Sequence, residues 1–207
     1  MENKDRKNML RDTGILLAIT LVAGLILGFV YELTKEPIRE QKELAVQKAC
    51  QTVYAEAAGF ETTDYVPDEK LCSELEEQGV TIGTVFAALD ANGTRLGYVV
   101  EATSSEGYGG NITLYAGIGE NGILNGISIL SISETPGLGM NAESILVPQF
   151  EHKEATMFTY TKSGSRTDNE IDAISGATKT TKAVVNAVNG AIRTVEEILM
   201  GGGAQNG

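Results

Sequence analysis

Apolar positions fall into three regimes along this chain, and each predicts a different kind of element. From Thr13 to Tyr31 they run on without a charge (TGILLAITLVAGLILGFVY); about 19 residues at roughly 1.5 Å each span close to 30 Å of hydrocarbon core, which predicts a transmembrane helix. From Val80 they shorten into strands. Thr81 to Leu89 and Arg95 to Thr103 flank Asp90-Ala-Asn-Gly93, where Asn-Gly supplies the positive φ angles of a tight hairpin. The same grammar recurs in Ile112 to Ile118 and Ile123 to Ile132, around Gly119-Glu-Asn-Gly122, so an antiparallel sheet is expected. In its last arm Ile127 and Ile129 share a parity that Leu130 and Ile132 do not keep, a phase slip that points to a bulge or twist. The third regime has helical spacing: Val184, Val188, Ile192, Val195 and Leu199 recur every four or three residues, widened by Ala191 and Ile198, with Lys179, Lys182, Arg193, Glu196 and Glu197 largely off the stripe. That helix should stop at Gly201-Gly202-Gly203.

Between these regimes, Glu32 to Ala58 is rich in Glu, Lys, Gln and Ala with Pro37 early, and reads as a helix leaving the membrane surface. Gly59 to Gly79 reads as a connection with one short helix. The expected organisation is a cytoplasmic N-terminus at 1–12, a membrane span at 13–31, a juxtamembrane segment at 32–79, one folded domain at 80–200 and a flexible tail at 201–207. The fold class is α+β: a twisted antiparallel sheet with packed helices behind an N-terminal membrane anchor. Lys4, Arg6, Lys7 and Arg11 precede the span, so the positive-inside rule places the N-terminus in the cytoplasm and the remainder outside, with Glu2, Asp5 and Asp12 softening the bias. A cleaved signal peptide is the competing reading, disfavoured by the length of the apolar run and the want of an A-x-A site. A net charge of −12 over 207 residues excludes nucleic-acid binding through a basic surface. Cys50 and Cys72 lack the clustering of a zinc or iron–sulfur site; a disulfide and two buried thiols remain equally open.

Two short stretches offer chemistry. Asp172-Ala-Ile-Ser-Gly-Ala-Thr178 sets a hydroxyl on a small-residue turn just ahead of the long helix, and a helix entrance suits phosphate because its first N–H groups are unpaired and the macrodipole favours negative charge. Glu134-Thr-Pro-Gly-Leu-Gly139 carries Pro-Gly at the centre of a type II turn, which exposes backbone N–H groups. Taken singly, the first is equally an N-capped surface helix and the second a strand-ending turn. Gly107-Tyr-Gly-Gly110 reads as a flexible turn, and Tyr108 is not assigned to the site.

The pair of motifs resembles the FMN-binding subunits of Rnf-type and Nqr-type respiratory complexes. Ser175-Gly-Ala-Thr178 preceded by Asp172 is similar to their flavinylation motif, whose last threonine carries FMN through a phosphodiester bond, and the hexapeptide at 134–139 is similar to the one that lies against the flavin. With the anchor and the spacing, the chain resembles the RnfG family of electron-transport complex subunits over nearly its whole length.

The resemblance implies covalent FMN on Thr178, delivered by an FMN transferase that takes FAD and releases AMP. It implies that Ser175, Thr180 and Thr181 hydrogen-bond the phosphate, that Lys179 adds a cation, and that Gly176 and Ala177 keep the approach open. Gly137 and Gly139 would let the ring approach the main chain, with Leu138 over its apolar face, Thr135 at a polar edge, Pro136 setting the turn and Glu134 in a positioning role. Two departures are visible: Ile132 stands where relatives commonly have histidine, and Lys179 where they have an apolar residue. His152, the only histidine, is expected at the surface. The implied function is an electron relay, not catalytic alone, within a complex that couples ferredoxin/NAD electron transfer to Na+ or H+ translocation, with the other subunits and membrane lipid as partners. The rivals are the equivalent Nqr-type subunit, an anchored flavin sensor and an anchored scaffold without cofactor.

Overall fold

The structure, a computed structural model, describes residues 2–201, with side chains from Met9 onward. The expected tail therefore lies, except for Gly201, outside the described residues. By contacts the chain divides into two compact units, 1–45 and 46–207.

The first unit is most of helix α1, which runs unbroken from Glu2 to Val53. One stretch of it, starting at Met9, is long and apolar enough to cross a membrane, and its large apolar side chains are exposed. The helix expected over 32–58 is the continuation of α1, which stops short of Ala58. Strong helix formers after Glu32 favour propagation over a fresh nucleus. Pro37 sits inside α1, within the span of the i,i+3 ion pair Arg39–Glu36 and just after Lys35–Glu32, both 2.7 Å. It removes one N–H donor without ending the helix.

The second unit starts earlier than the domain expected at 80. Its centre is an antiparallel sheet in sequential order, β1 (Gly59–Thr62), β2 (Val80–Leu89), β3 (Arg95–Ser104), β4 (Ile112–Gly119), β5 (Ile123–Ser131) and β6 (Lys153–Glu154). The two expected hairpins are β2–β3 and β4–β5. The phase slip is a bulge: Leu114 faces Ile129 and Thr113 faces Ser131, so Leu130 is the extra residue. Leu130 packs with the cluster on the back of the sheet, while Ile132 returns to the front with Ile127 and Ile129. Edge strand β1, four residues with one large apolar side chain, gave no alternation to read.

Helix α4 (Thr178–Gly201) covers the front of the sheet. Val184, Val188, Ala191, Ile192 and Val195 meet Val100, Ala102, Leu114 and Ala116 in the main core; Leu199 lies exposed beyond it. The back is covered by the last turns of α1, where Ala49, Cys50 and Val53 pack with Val99 and Tyr115 and the Tyr54 hydroxyl donates to the Leu96 carbonyl at 2.7 Å. Without this lid Tyr115 and Val99 would face water, so residues 46–57 belong to the domain. Helix α2 (Glu69–Glu77), capped by Asp68, is the short helix expected in the connection. Cys72 on α2 and Cys50 on α1 are both free thiols. Between β5 and α4 come helix α3 (Ala142–Ile145), two 3-10 turns and a parallel pair, β7 (Thr159–Thr161) with β8 (Glu170–Asp172).

Candidate functional site

The hexapeptide follows β5 as it leaves the sheet. Leu138 N–H donates to the Thr135 carbonyl at 3.1 Å and Gly137 has φ +76°, the closure and backbone of the type II turn that Pro-Gly predicts. Thr135, Pro136, Gly137 and Leu138 are exposed, whereas Gly139 is buried. A Cβ on Gly139 would stand 2.6 Å from Thr180 Oγ1 and 2.8 Å from Glu134 Oε2, so only glycine lets this turn press onto the start of α4.

The second motif follows β8. Asp172 accepts the Ser165 N–H at 2.5 Å and its backbone is gripped by Gln149, so it anchors the preceding loop and stands apart from the site. Ala177 N–H donates to the Ile174 carbonyl at 3.0 Å, and α4 begins at once with Thr178. The two hydroxyls that follow differ sharply. Thr181 Oγ1 accepts from Ile174 N–H and donates to the Ala177 carbonyl, both at 3.1 Å. Its hydroxyl is engaged in holding the turn. Thr180 is 1% exposed, and its Oγ1 is the buried side-chain polar atom without a partner among the described residues.

These turns meet in one cavity of about 560 Å³, lined by Tyr108, Glu134, Thr135, Leu138, Gly139, Gly176, Ala177, Thr178, Lys179 and Thr180. Most of the residues singled out from sequence are thus brought together. Pro136, Gly137, Ser175 and Thr181 are not part of the lining: the first two shape the rim turn, Ser175 is exposed at the surface and Thr181 is interior. Lys179 is the exposed cation of the lining. Glu134, 8% exposed, accepts the N–H groups of Tyr108 at 2.7 Å and Gly109 at 3.4 Å. Its carboxylate is therefore occupied in holding the 107–110 turn. Tyr108 was missed in the sequence because a Gly-rich turn looks the same whether or not it faces a ligand. His152, exposed with φ +52°, lines a different, polar cleft.

The FMN-binding domain family matches residues 107–193, a span that contains every lining residue of the cavity, and the RnfG N-terminal region family matches residues 1–53. The G component of the Na(+)-translocating ferredoxin:NAD(+) oxidoreductase complex of Acetobacterium woodii is 34% identical over 89% of this chain and 90% of its own length. This chain belongs to the RnfG family. The corresponding component of the proton-translocating ferredoxin:NAD(+) oxidoreductase complex of Clostridium ljungdahlii is 33% identical over 94% of this chain and 95% of its own, and that of the ion-translocating oxidoreductase complex of Methanosarcina acetivorans 29% over 91% and 95%. Among solved structures, NqrC of Shewanella oneidensis superposes with a TM-score of 0.44, 21% identity and 66% of each chain covered.

An RnfG-family chain is an FMN-binding electron-transport subunit, and the cavity fits that ligand. Its volume is that of an ordinary cofactor site. One wall is a helix start with N–H groups free for a phosphate, another is a turn whose glycine leaves no side chain in the way, and Thr180 presents an unused hydroxyl at the seam.

Proposed function

We propose that this chain carries FMN covalently on Thr178 and relays electrons as the RnfG component of a membrane complex coupling ferredoxin/NAD electron transfer to Na+ or H+ export. The observation behind this reading is the shared cavity: two motifs about forty residues apart in sequence line one pocket at the start of α4. Attachment would join Thr178 Oγ to the FMN-side phosphorus of FAD. The P–O–P anhydride breaks, AMP leaves, the hydroxyl proton passes to solvent, and an FMN transferase directs the exchange. Flavin supplies one- and two-electron redox chemistry when bound. The chain's own part is to hold it. Lys179 and the first-turn N–H groups neutralise the phosphate, Gly176 and Ala177 keep Thr178 accessible, and Leu138, Gly139 and Thr135 border the ring. Pro136 and Gly137 set the rim turn, Thr180 donates its free hydroxyl, and Ser175 lies at the mouth. In this reading 1–12 face the cytoplasm, 13–31 span the bilayer, the domain lies outside, and the neighbours are other complex subunits and lipid. The ferredoxin:NAD(+) names of relatives at 34% and 33% identity favour this complex over a quinone-reducing one.

The test is the mass and in-gel fluorescence of full-length protein made in a host with the transferase. Wild type is expected to carry one FMN ester on the Thr178 peptide, and Thr178→Ala none; a bare wild-type mass refutes covalent attachment. Ferredoxin-driven NAD reduction in membranes should fall to background with Thr178→Ala, and unchanged activity would leave an anchored flavin sensor as the better account.

A further inference from the structure

We propose that Tyr108 is a movable cover over the flavin ring and that Glu134 is the positioning residue that presents it; the inference rests on the cavity being the flavin site. The backbone around Tyr108 is fixed. A Cβ on Gly107 would lie 2.2 Å from the Gly110 carbonyl oxygen, and one on Gly109 1.9 Å from that of Ser133, so this turn is pressed against the chain entering the hexapeptide. One oxygen of the buried Glu134 carboxylate takes both the Tyr108 and Gly109 N–H groups. Charged hydrogen bonds of this kind are among the stronger ones available to a turn.

The side chain, by contrast, is 72% exposed while lining the cavity. A large aromatic, mostly exposed on an immobilised backbone, is suited to a flat partner arriving in the pocket. Isoalloxazine is flat and electron-poor, and phenol is electron-rich, so offset stacking is favourable. Leu138, 40% exposed on the hexapeptide, lines the same cavity and offers an apolar surface to the ring. Glu134 holds Tyr108 by its backbone N–H, which leaves the ring free to swing aside for the transferase and for electron partners.

Flavinylated full-length protein in detergent tests this through flavin fluorescence lifetime and acrylamide quenching, with intact mass confirming the load of every variant. In wild type, the phenol donates an electron to the photoexcited flavin and recovers it, giving a short lifetime. Tyr108→Leu should lower the covered-to-open ratio about fivefold, seen as a longer lifetime and stronger quenching. Tyr108→Phe should lengthen the lifetime yet keep the shielding. Glu134→Ala should reproduce Tyr108→Leu, and Glu134→Gln, which keeps an acceptor oxygen, should restore wild-type behaviour. Loaded Tyr108→Leu with wild-type lifetime and quenching overturns the cover, and loaded Glu134→Ala with wild-type behaviour overturns the role of Glu134. If Glu134→Ala does not fold, the two Tyr108 variants decide the cover and Glu134→Gln against Glu134→Leu decides the support. Wild type without flavin mass refutes the site itself, a separate failure.

Discussion

Helices α1 and α4 are both rich in aliphatic residues, yet they place them in opposite surroundings. Leu16, Leu21, Leu25 and Phe29 of α1 are exposed, while Val184, Val188, Ile192 and Val195 of α4 are buried. The difference is angular. Apolar residues encircle α1 between Thr13 and Tyr31, which a single sheet face cannot satisfy and a bilayer can; in α4 they form one face that the sheet covers. Within α1 the behaviour changes along the helix, since Ala49, Cys50 and Val53 pack against the back of the sheet. One continuous helix thus obeys two solvents.

An aspartate in each helix gives the largest expected contrast. Val188→Asp buries an unpaired carboxylate, costing about 3–5 kcal/mol, a large share of typical domain stability, so circular dichroism should show loss of the folded domain. Leu21→Asp should leave its melting unchanged and lower membrane insertion by about 3 kcal/mol, read as protein released by carbonate extraction. Equal melting of the two variants would break the comparison.

A finer contrast lies in the first turn of α4. Thr181→Val strands the buried Ile174 N–H and should cost about 1–3 kcal/mol in urea unfolding of flavin-free protein. Thr180→Val removes a hydroxyl with no protein partner. It should leave that stability within about 0.5 kcal/mol while shifting the absorption of the flavin-loaded protein. A larger loss from Thr180→Val than from Thr181→Val would reverse their assigned roles.

A pH-dependent effect concerns the packed end of α1. Burial pushes the Cys50 thiol up from 9.0 to about 11. The folded protein therefore keeps the proton that the unfolded chain loses, so this contribution is complete below pH 9 and disappears as pH rises to about 11. Stability should fall by about 2 kcal/mol over that window, and by less in Cys50→Ala. Iodoacetamide at neutral pH should label Cys72 before Cys50; the reverse order would place Cys50 at the surface.

The two hairpins, the bulge near Leu130 and the face of α4 could be read in the sequence because each follows from periodicity or turn chemistry within ten or so residues. The type II turn at Pro136-Gly137 was legible for the same reason. Edge strand β1, the β7–β8 pair and the region around α3 were not, since strands of two to four residues are held by neighbours far along the chain. Thr180 and Thr181 were indistinguishable as letters. Their separation came from the turn at Ile174, which uses one hydroxyl and leaves the other at the cavity.

The amino-acid order by itself determined an apolar anchor, an antiparallel sheet, an amphipathic closing helix and two short motifs of turn and helix-start residues, because propensity, periodicity and turn geometry are local. Only the tertiary structure decided that residues 46–57 belong to the domain, that Glu134 is spent on holding the 107–110 turn, and that Tyr108 stands at the rim of the cavity. Burial and hydrogen-bond competition depend on which distant surfaces meet, and nothing within a short window of sequence encodes that meeting.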